Sequence, residues 1–128
     1  VKILLDTCAF LWLTSDAKEL SNQAKILFQN MDNSVYLSSV SVWEIVVKNK
    51  LGKLPLPSAP EQFINDQCEK HFIENISLDN KAVFHLTELP TYHRDPFDRM
   101  LICQAIEHDF TLLTSDELIS QYPVKTAW

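Results

Sequence analysis

Short apolar runs alternate along the chain with longer stretches of helical periodicity. Lys2–Asp6 (KILLD) reads as a buried strand that ends on a carboxylate. Residues 8–14 are apolar and start a short helix. Ser21 precedes a helical segment to about Asn30, with Ala24, Leu27 and Phe28 on one face. Val35–Ser38 reads as a second strand, and residues 41–50 suit a helix that Gly52 follows in a C-terminal position. Pro55, Pro57 and Pro60 mark a loop, and Ser58-x-x-Glu61 has the form of a capping box opening a helix to about His71. Phe72–Ser77 is a third strand and Asp79–Leu89 another helix. Asp95–Asp98 begins a strongly apolar helix ending near His108. Thr111–Thr114 is a fourth strand and Val124–Ala127 a short fifth. Strands alternating with helices predict one α/β domain over residues 1–128, with a parallel sheet covered on both faces.

Composition narrows the chemistry. The 128 residues include a single glycine, which excludes a Walker A loop and a G-x-G-x-x-G turn, since both need several glycines to approach phosphate. With 17 acidic against 11 basic residues the net charge is −6, which argues against direct binding of a phosphate backbone by a basic face. It leaves open a metal site built of carboxylates. Cys8, Cys68 and Cys103 are odd in number and contain no C-x-x-C, so they read as buried small hydrophobes in a reducing compartment. Trp12, Trp43 and the Phe10–Leu13 run read mostly as core, with a groove for a partner helix as the second reading for part of that run. No basic stretch leads into a cleavable apolar segment and no run approaches a membrane span, so the expectation is a soluble cytoplasmic protein without membrane contact.

The carboxylates stand in unusual places. Asp6 and Asp116 both lie just past an apolar strand, at the sheet edge where ligands bind in open parallel sheets. Each also suits a turn or helix cap. Glu44 sits inside the apolar run 42–47; as the fourth residue of Ser41-x-x-Glu44 it also fits a capping box. Asp95 suits an N-cap with Pro96 at the first helical position, and Asp98 lies one turn in, where the helix dipole favours negative charge. If Asp6, Glu44, Asp98 and Asp116 converge, they must protonate in part or hold a cation. Oxygen ligands without a Cys or His partner select Mg²⁺ or Mn²⁺ over Zn²⁺. Lys48, Lys50 and Lys53 read as a solvated helix end, with contact to substrate phosphates as the second reading. Arg94 and Arg99 fit either a phosphate or the flanking acids, and His93 fits a structural hydrogen bond better than a general base.

Asp6–Thr7, Val42–Trp43–Glu44–Ile45, the run His93–Ile102 (HRDPFDRMLI) and Leu113–Thr114–Ser115–Asp116 stand in the order found in PIN-domain ribonucleases. The chain resembles the VapC toxin branch from about residue 2 to Trp128, the Leu51–Leu54 segment included. The resemblance implies a three-layer α/β/α PIN fold with a central, mostly parallel sheet of four to five strands. It implies an endoribonuclease using one or two Mg²⁺ or Mn²⁺ ions, with RNA as substrate and a cognate antitoxin as partner. It also implies a homodimer, and DNA contact only through the antitoxin. By position, Asp6, Glu44, Asp98 and Asp116 correspond to the family's catalytic, metal-holding quartet. Thr7 and Ser115 match orienting polar positions; Asp95 matches an extra acid, and Arg99 is a further secondary candidate. Cys8 stands where relatives often carry His or Asn.

Other classes fit less of the pattern. A receiver-like phosphoacceptor wants an acidic pair after the first strand and a Lys after the fifth. A haloacid-dehalogenase-like phosphatase wants D-x-D, where this chain has Asp6–Thr7–Cys8. A catalytically weak PIN interaction module remains an alternative, although all four acids are present.

Overall fold

The computed structural model describes all residues, Val1–Trp128. Five strands form one sheet: β1 (Lys2–Leu5), β2 (Ser34–Ser38), β3 (Glu74–Ile76), β4 (Thr111–Leu113) and β5 (Lys125–Ala127). Their order is β3-β2-β1-β4-β5, and every neighbouring pair is parallel. The chain winds outward from β1 to β3, then returns to lay β4 on the other side of β1. The topological switch therefore falls between β1 and β4, where a crevice opens at the carboxyl ends of the strands.

Alternation along β1 builds two cores. Ile3 and Leu5 face one cluster with Leu37, Leu113, Phe10, Ala24, Ile64 and their neighbours. Leu4 faces the other, with Leu101, Ile102, Ala105 and Leu112. Helices α1 (Thr7–Ser15), α2 (Asn22–Gln29) and α4 (Pro60–Lys70) supply the first layer, and α6 (Pro96–His108) fills the second. Helix α3 (Ser39–Lys50) gives Val40 to one cluster and Ile45 to the other. The result is the expected three-layer α/β/α arrangement, with a sheet that is wholly parallel.

Two helix starts differ from expectation. Helix α3 begins at Ser39, because Ser38 is the N-cap and accepts a hydrogen bond from the Val40 N–H at 3.0 Å. Ser41 is thus third in the helix and Glu44 sixth, so Ser41-x-x-Glu44 is no capping box. Helix α4 begins at Pro60 after Ala59, with no side-chain cap; Ser58-x-x-Glu61 is not a capping box either. Pro60 lacks an N–H, which removes one of the donors a cap would satisfy. Between α4 and α6, the expected helix over 79–89 is one turn of α-helix, α5 (Asn80–Phe84), followed by a 3-10 turn, His85–Thr87.

The one glycine ends α3. Gly52 has φ 73°, its N–H donates to Asn49 O at 3.0 Å, and the next N–H, of Lys53, donates to Lys48 O at 2.9 Å. This is a Schellman closure in its usual chemistry. Helix α4 ends in the same way, with Phe72 in the left-handed position at φ 56° and the Ile73 N–H donating to Cys68 O at 2.9 Å. That is why the third strand starts at Glu74 and not at Phe72. A bulky residue is strained there, and Phe72 is 79% exposed, so its ring gains little from burial. Replacing Phe72 by Gly is expected to stabilise the fold by about 1 kcal/mol. Urea unfolding would show a higher midpoint at an unchanged m-value; a lower midpoint would mean that the ring contributes more than the strain costs.

Candidate metal centre

The carboxyl edge of the sheet gathers acids from four separate segments. Asp6 ends β1 and caps α1, its Oδ1 accepting from the Ala9 N–H at 2.6 Å. Its own N–H donates to Leu113 O at 3.2 Å, which ties it to the end of β4. Capping and site membership are therefore compatible, because the second carboxylate oxygen remains. Asp116 follows β4 in a tight turn: its N–H donates to Thr114 Oγ1 at 3.1 Å, and its Oδ1 accepts from the Leu118 N–H at 2.9 Å. Asp95 caps α6, with Oδ1 accepting from the N–H groups of Phe97 at 2.8 Å and Asp98 at 3.4 Å. Asp98 then stands in the first turn of α6.

Glu44 is buried, with 5% exposure, and reaches the edge from the second turn of α3. Its Oε1 lies 2.6 Å from Thr7 Oγ1, which in turn lies 3.0 Å from Ser41 Oγ. Its Oε2 accepts from Lys48 Nζ, one helical turn on. Lys48 is thus not a free helix end, since the Glu44 carboxylate holds it and raises its pKa. Lys50 and Lys53 remain exposed, as the helix-end reading expected.

Electrostatics records the crowding. Burial raises the Asp6 carboxyl from 3.8 to about 6, against hydrogen bonds from Thr114 and the Ala9 N–H, with Asp116 and Glu44 adding to the rise. Burial raises Asp98 from 3.8 to about 7, with Asp95, Asp6 and Glu44 pushing the same way and His93 opposing. Desolvation and the charges of Asp6, Glu44 and Asp98 lift the Cys8 thiol to about 11.

Several expectations need correction. His93 joins the acids: its Nε2 is 2.8 Å from Asp116 Oδ2 and 3.1 Å from Asp98 Oδ2, so a ring nitrogen stands between two of the carboxylates. Arg99 meets neither acid; its Nη1 donates to Pro90 O at 2.8 Å and His93 O at 3.3 Å, and lies 3.4 Å from Tyr122 Oη. Helical geometry turns Arg99 away from the acidic edge toward the preceding loop. Arg94, by contrast, is exposed. Ser115 is exposed too, and the buried Thr114 holds Asp6 and Asp116 in its stead. Cys8 is exposed at the rim, unlike buried Cys68 and Cys103. Trp43 is 58% exposed on α3, with its ring edge-on to Phe97 at 4.8 Å. The signal for His93 was its position two residues before a capping Asp, and for Thr114 its place as the last apolar-flanked residue of β4.

Known proteins share this architecture. A family model described as PIN domain matches residues 3–125. Ribonuclease VapC16 of Mycobacterium tuberculosis is 30% identical over 69 residues, covering 54% of this chain and 49% of that protein. The match thus spans about half the length of the curated relative. The crystal structure of VapBC2 from Rickettsia felis bound to a DNA fragment from their promoter contains a chain similar at a TM-score of 0.72 and 17% identity, covering 99% of this chain and 98% of that one. DNA-bound VapBC from Salmonella typhimurium gives a TM-score of 0.67 at 16% identity, with 99% and 97% covered. At such identities the two structures speak to the fold.

The raised acids carry a sign. Asp6 and Asp98 bind protons more tightly in the folded chain than at the ordinary 3.8, so the folded state holds more protons across that window. Their contribution to stability is full below 3.8 and is lost as pH rises through about 6 and about 7. Metal-free Asp98→Asn is therefore expected to gain stability over the parent as pH rises from about 4 to about 8. Urea midpoints at several pH values test this; a difference between the two proteins that is flat with pH contradicts it.

Proposed function

Since the chain belongs to the PIN domain family, we propose that it is a divalent-metal-dependent endoribonuclease of the VapC type, the toxin of a toxin–antitoxin pair. The observation that carries this reading is the convergence of Asp6, Glu44, Asp98 and Asp116 at the switch between β1 and β4, with two of the acids held above the ordinary carboxylate range. The donor set fits Mg²⁺ or Mn²⁺, since hard carboxylate oxygens predominate and the neighbouring Cys8 thiol, pushed up to about 11, is kept protonated. Asp6, Asp98 and Asp116 would hold the metal. Once bound, one or two such ions neutralise phosphate charge and lower the pKa of an attacking water.

The chain's own residues have separable tasks. Thr7 and Lys48 hold the two oxygens of Glu44, which fixes its carboxylate toward the edge. Thr114 orients Asp6 and Asp116 together, so the ends of β1 and β4 act as one unit. Asp95 keeps the first turn of α6 formed beneath Asp98. Arg94, exposed beside Asp95, would be a cation available to the phosphate chain of RNA. A cognate antitoxin as partner, DNA contact through that antitoxin and a homodimeric state belong to the same reading. It is supported by the shared fold of the DNA-bound VapBC assemblies.

Purified chain incubated with RNA and Mg²⁺ or Mn²⁺ is expected to cleave it, and a chelator to stop cleavage. Asp98→Asn should lower the rate by at least about a hundredfold. Thr7→Val should lower it by about tenfold, because Glu44 loses one of its two partners. Cleavage that persists in Asp98→Asn, or in the chelator, would sink the assignment.

A further inference from the structure

Resting on the reading of the acidic edge as a metal centre, we propose that His93 is a placeholder for the cation: its Nε2–H bridges Asp98 and Asp116, and metal entry requires the ring to leave. Three distances define the bridge. Nε2 lies 2.8 Å from Asp116 Oδ2 and 3.1 Å from Asp98 Oδ2, and the three atoms fall within 4.8 Å of one another. The side chain is only 12% exposed.

Such a trio resembles a ligand set, but the other ring nitrogen decides otherwise. Nδ1 accepts a hydrogen bond from the Asp95 N–H at 3.1 Å. A nitrogen that accepts carries a lone pair and no proton. The ring proton of the neutral imidazole is therefore on Nε2, pointing at the two carboxylates. A ligand nitrogen needs its lone pair there. Moving the proton to Nδ1 would set two N–H groups head to head at Asp95. In this pose His93 supplies positive hydrogen-bonding density to Asp98 and Asp116, as a cation would, and it cannot coordinate one.

The pose is built rather than incidental. The His93 N–H donates to Tyr122 Oη at 2.8 Å, and the His93 carbonyl accepts from Arg99 Nη1 at 3.3 Å. Arg99 also holds Pro90 O at 2.8 Å, and the Tyr92 ring packs against Tyr122 at 5.1 Å. Both backbone groups of His93 are thus anchored, one from the C-terminal loop and one from α6. These anchors explain where the Arg99 guanidinium goes, and they make Tyr122 and Arg99 positioning residues for the ring.

Calorimetric titration of the full chain with MnCl₂, in the absence of RNA, tests the proposal. His93→Ala is expected to bind Mn²⁺ about tenfold tighter than the parent, because hydrogen bonds no longer have to be broken first. Tyr122→Phe, which removes one backbone anchor, should tighten binding by a smaller factor. Weaker binding in His93→Ala would make the ring a ligand, and unchanged binding a bystander; either overturns the proposal. In the unaltered protein, imidazole ¹⁵N shifts should report a protonated Nε2 and a bare Nδ1 before metal is added. Loss of the Asp95-bonded signature should follow on adding Mg²⁺. A protonated Nδ1 at the start would also overturn it. Asp98→Asn serves as the separate control: if it binds Mn²⁺ as the parent does, the metal centre itself fails, and the placeholder with it.

Discussion

Negative charge crowded at one sheet edge must be offset there. Two carboxylates about 5 Å apart repel by roughly 3 kcal/mol at an effective dielectric near 20. Each acid at the edge has at least one donor against it as a result. Asp6 has the Ala9 N–H, Glu44 has Thr7 and Lys48, Asp98 and Asp116 share His93, and Asp95 takes two N–H groups of α6. Even so, Asp6 and Asp98 remain above the ordinary carboxylate range. The compensation is partial, which is the condition a site needs if a cation is to bind it with net gain. The position of β4 beside β1, the phase of α3 and the cap of α6 all serve this single balance.

The strands and the acidic positions were legible because their signals are local. Ile3–Leu4–Leu5 and Leu112–Leu113 are apolar runs closed by polar residues, and fully buried parallel strands need nothing more. Asp95-Pro96 announces a helix start by covalent constraint alone. Other features were hidden because they depend on distant partners. Ser38 and Ser41 are both plausible caps in sequence, and only the end of β2 decides that Ser38 takes the role. The Glu44 side chain looked like a cap for the same reason, although its real partners are Thr7 and Lys48. Phe72 delays the start of the third strand by adopting a conformation that its residue type disfavours.

Cations show the same divide. Lys48 and Arg99 each neighbour acids in sequence, yet one pairs with Glu44 and the other with loop carbonyls. Residue spacing along a helix fixes which face a cation occupies, and only the packing of that helix tells what faces it. The net charge of −6 is likewise reinterpreted. Part of it is concentrated where a divalent ion would cancel it, so an acidic chain is not thereby unsuited to a polyanionic substrate.

The placement of β1 at the centre of the sheet has a temporal side. Its partners are β2, about thirty residues on, and β4, more than a hundred residues on. Asp6 is made well before Asp116 and Tyr122, with the whole of β2, β3 and α6 between them. A nascent chain on the ribosome can collect its first strands and helices, but β1 keeps one open edge until residues 111–113 emerge. Whatever chemistry the acidic edge performs is therefore withheld until β4 has been made. Asp116 joins Asp6 only once β4 has docked beside β1, so strand order itself delays the assembly of the acids.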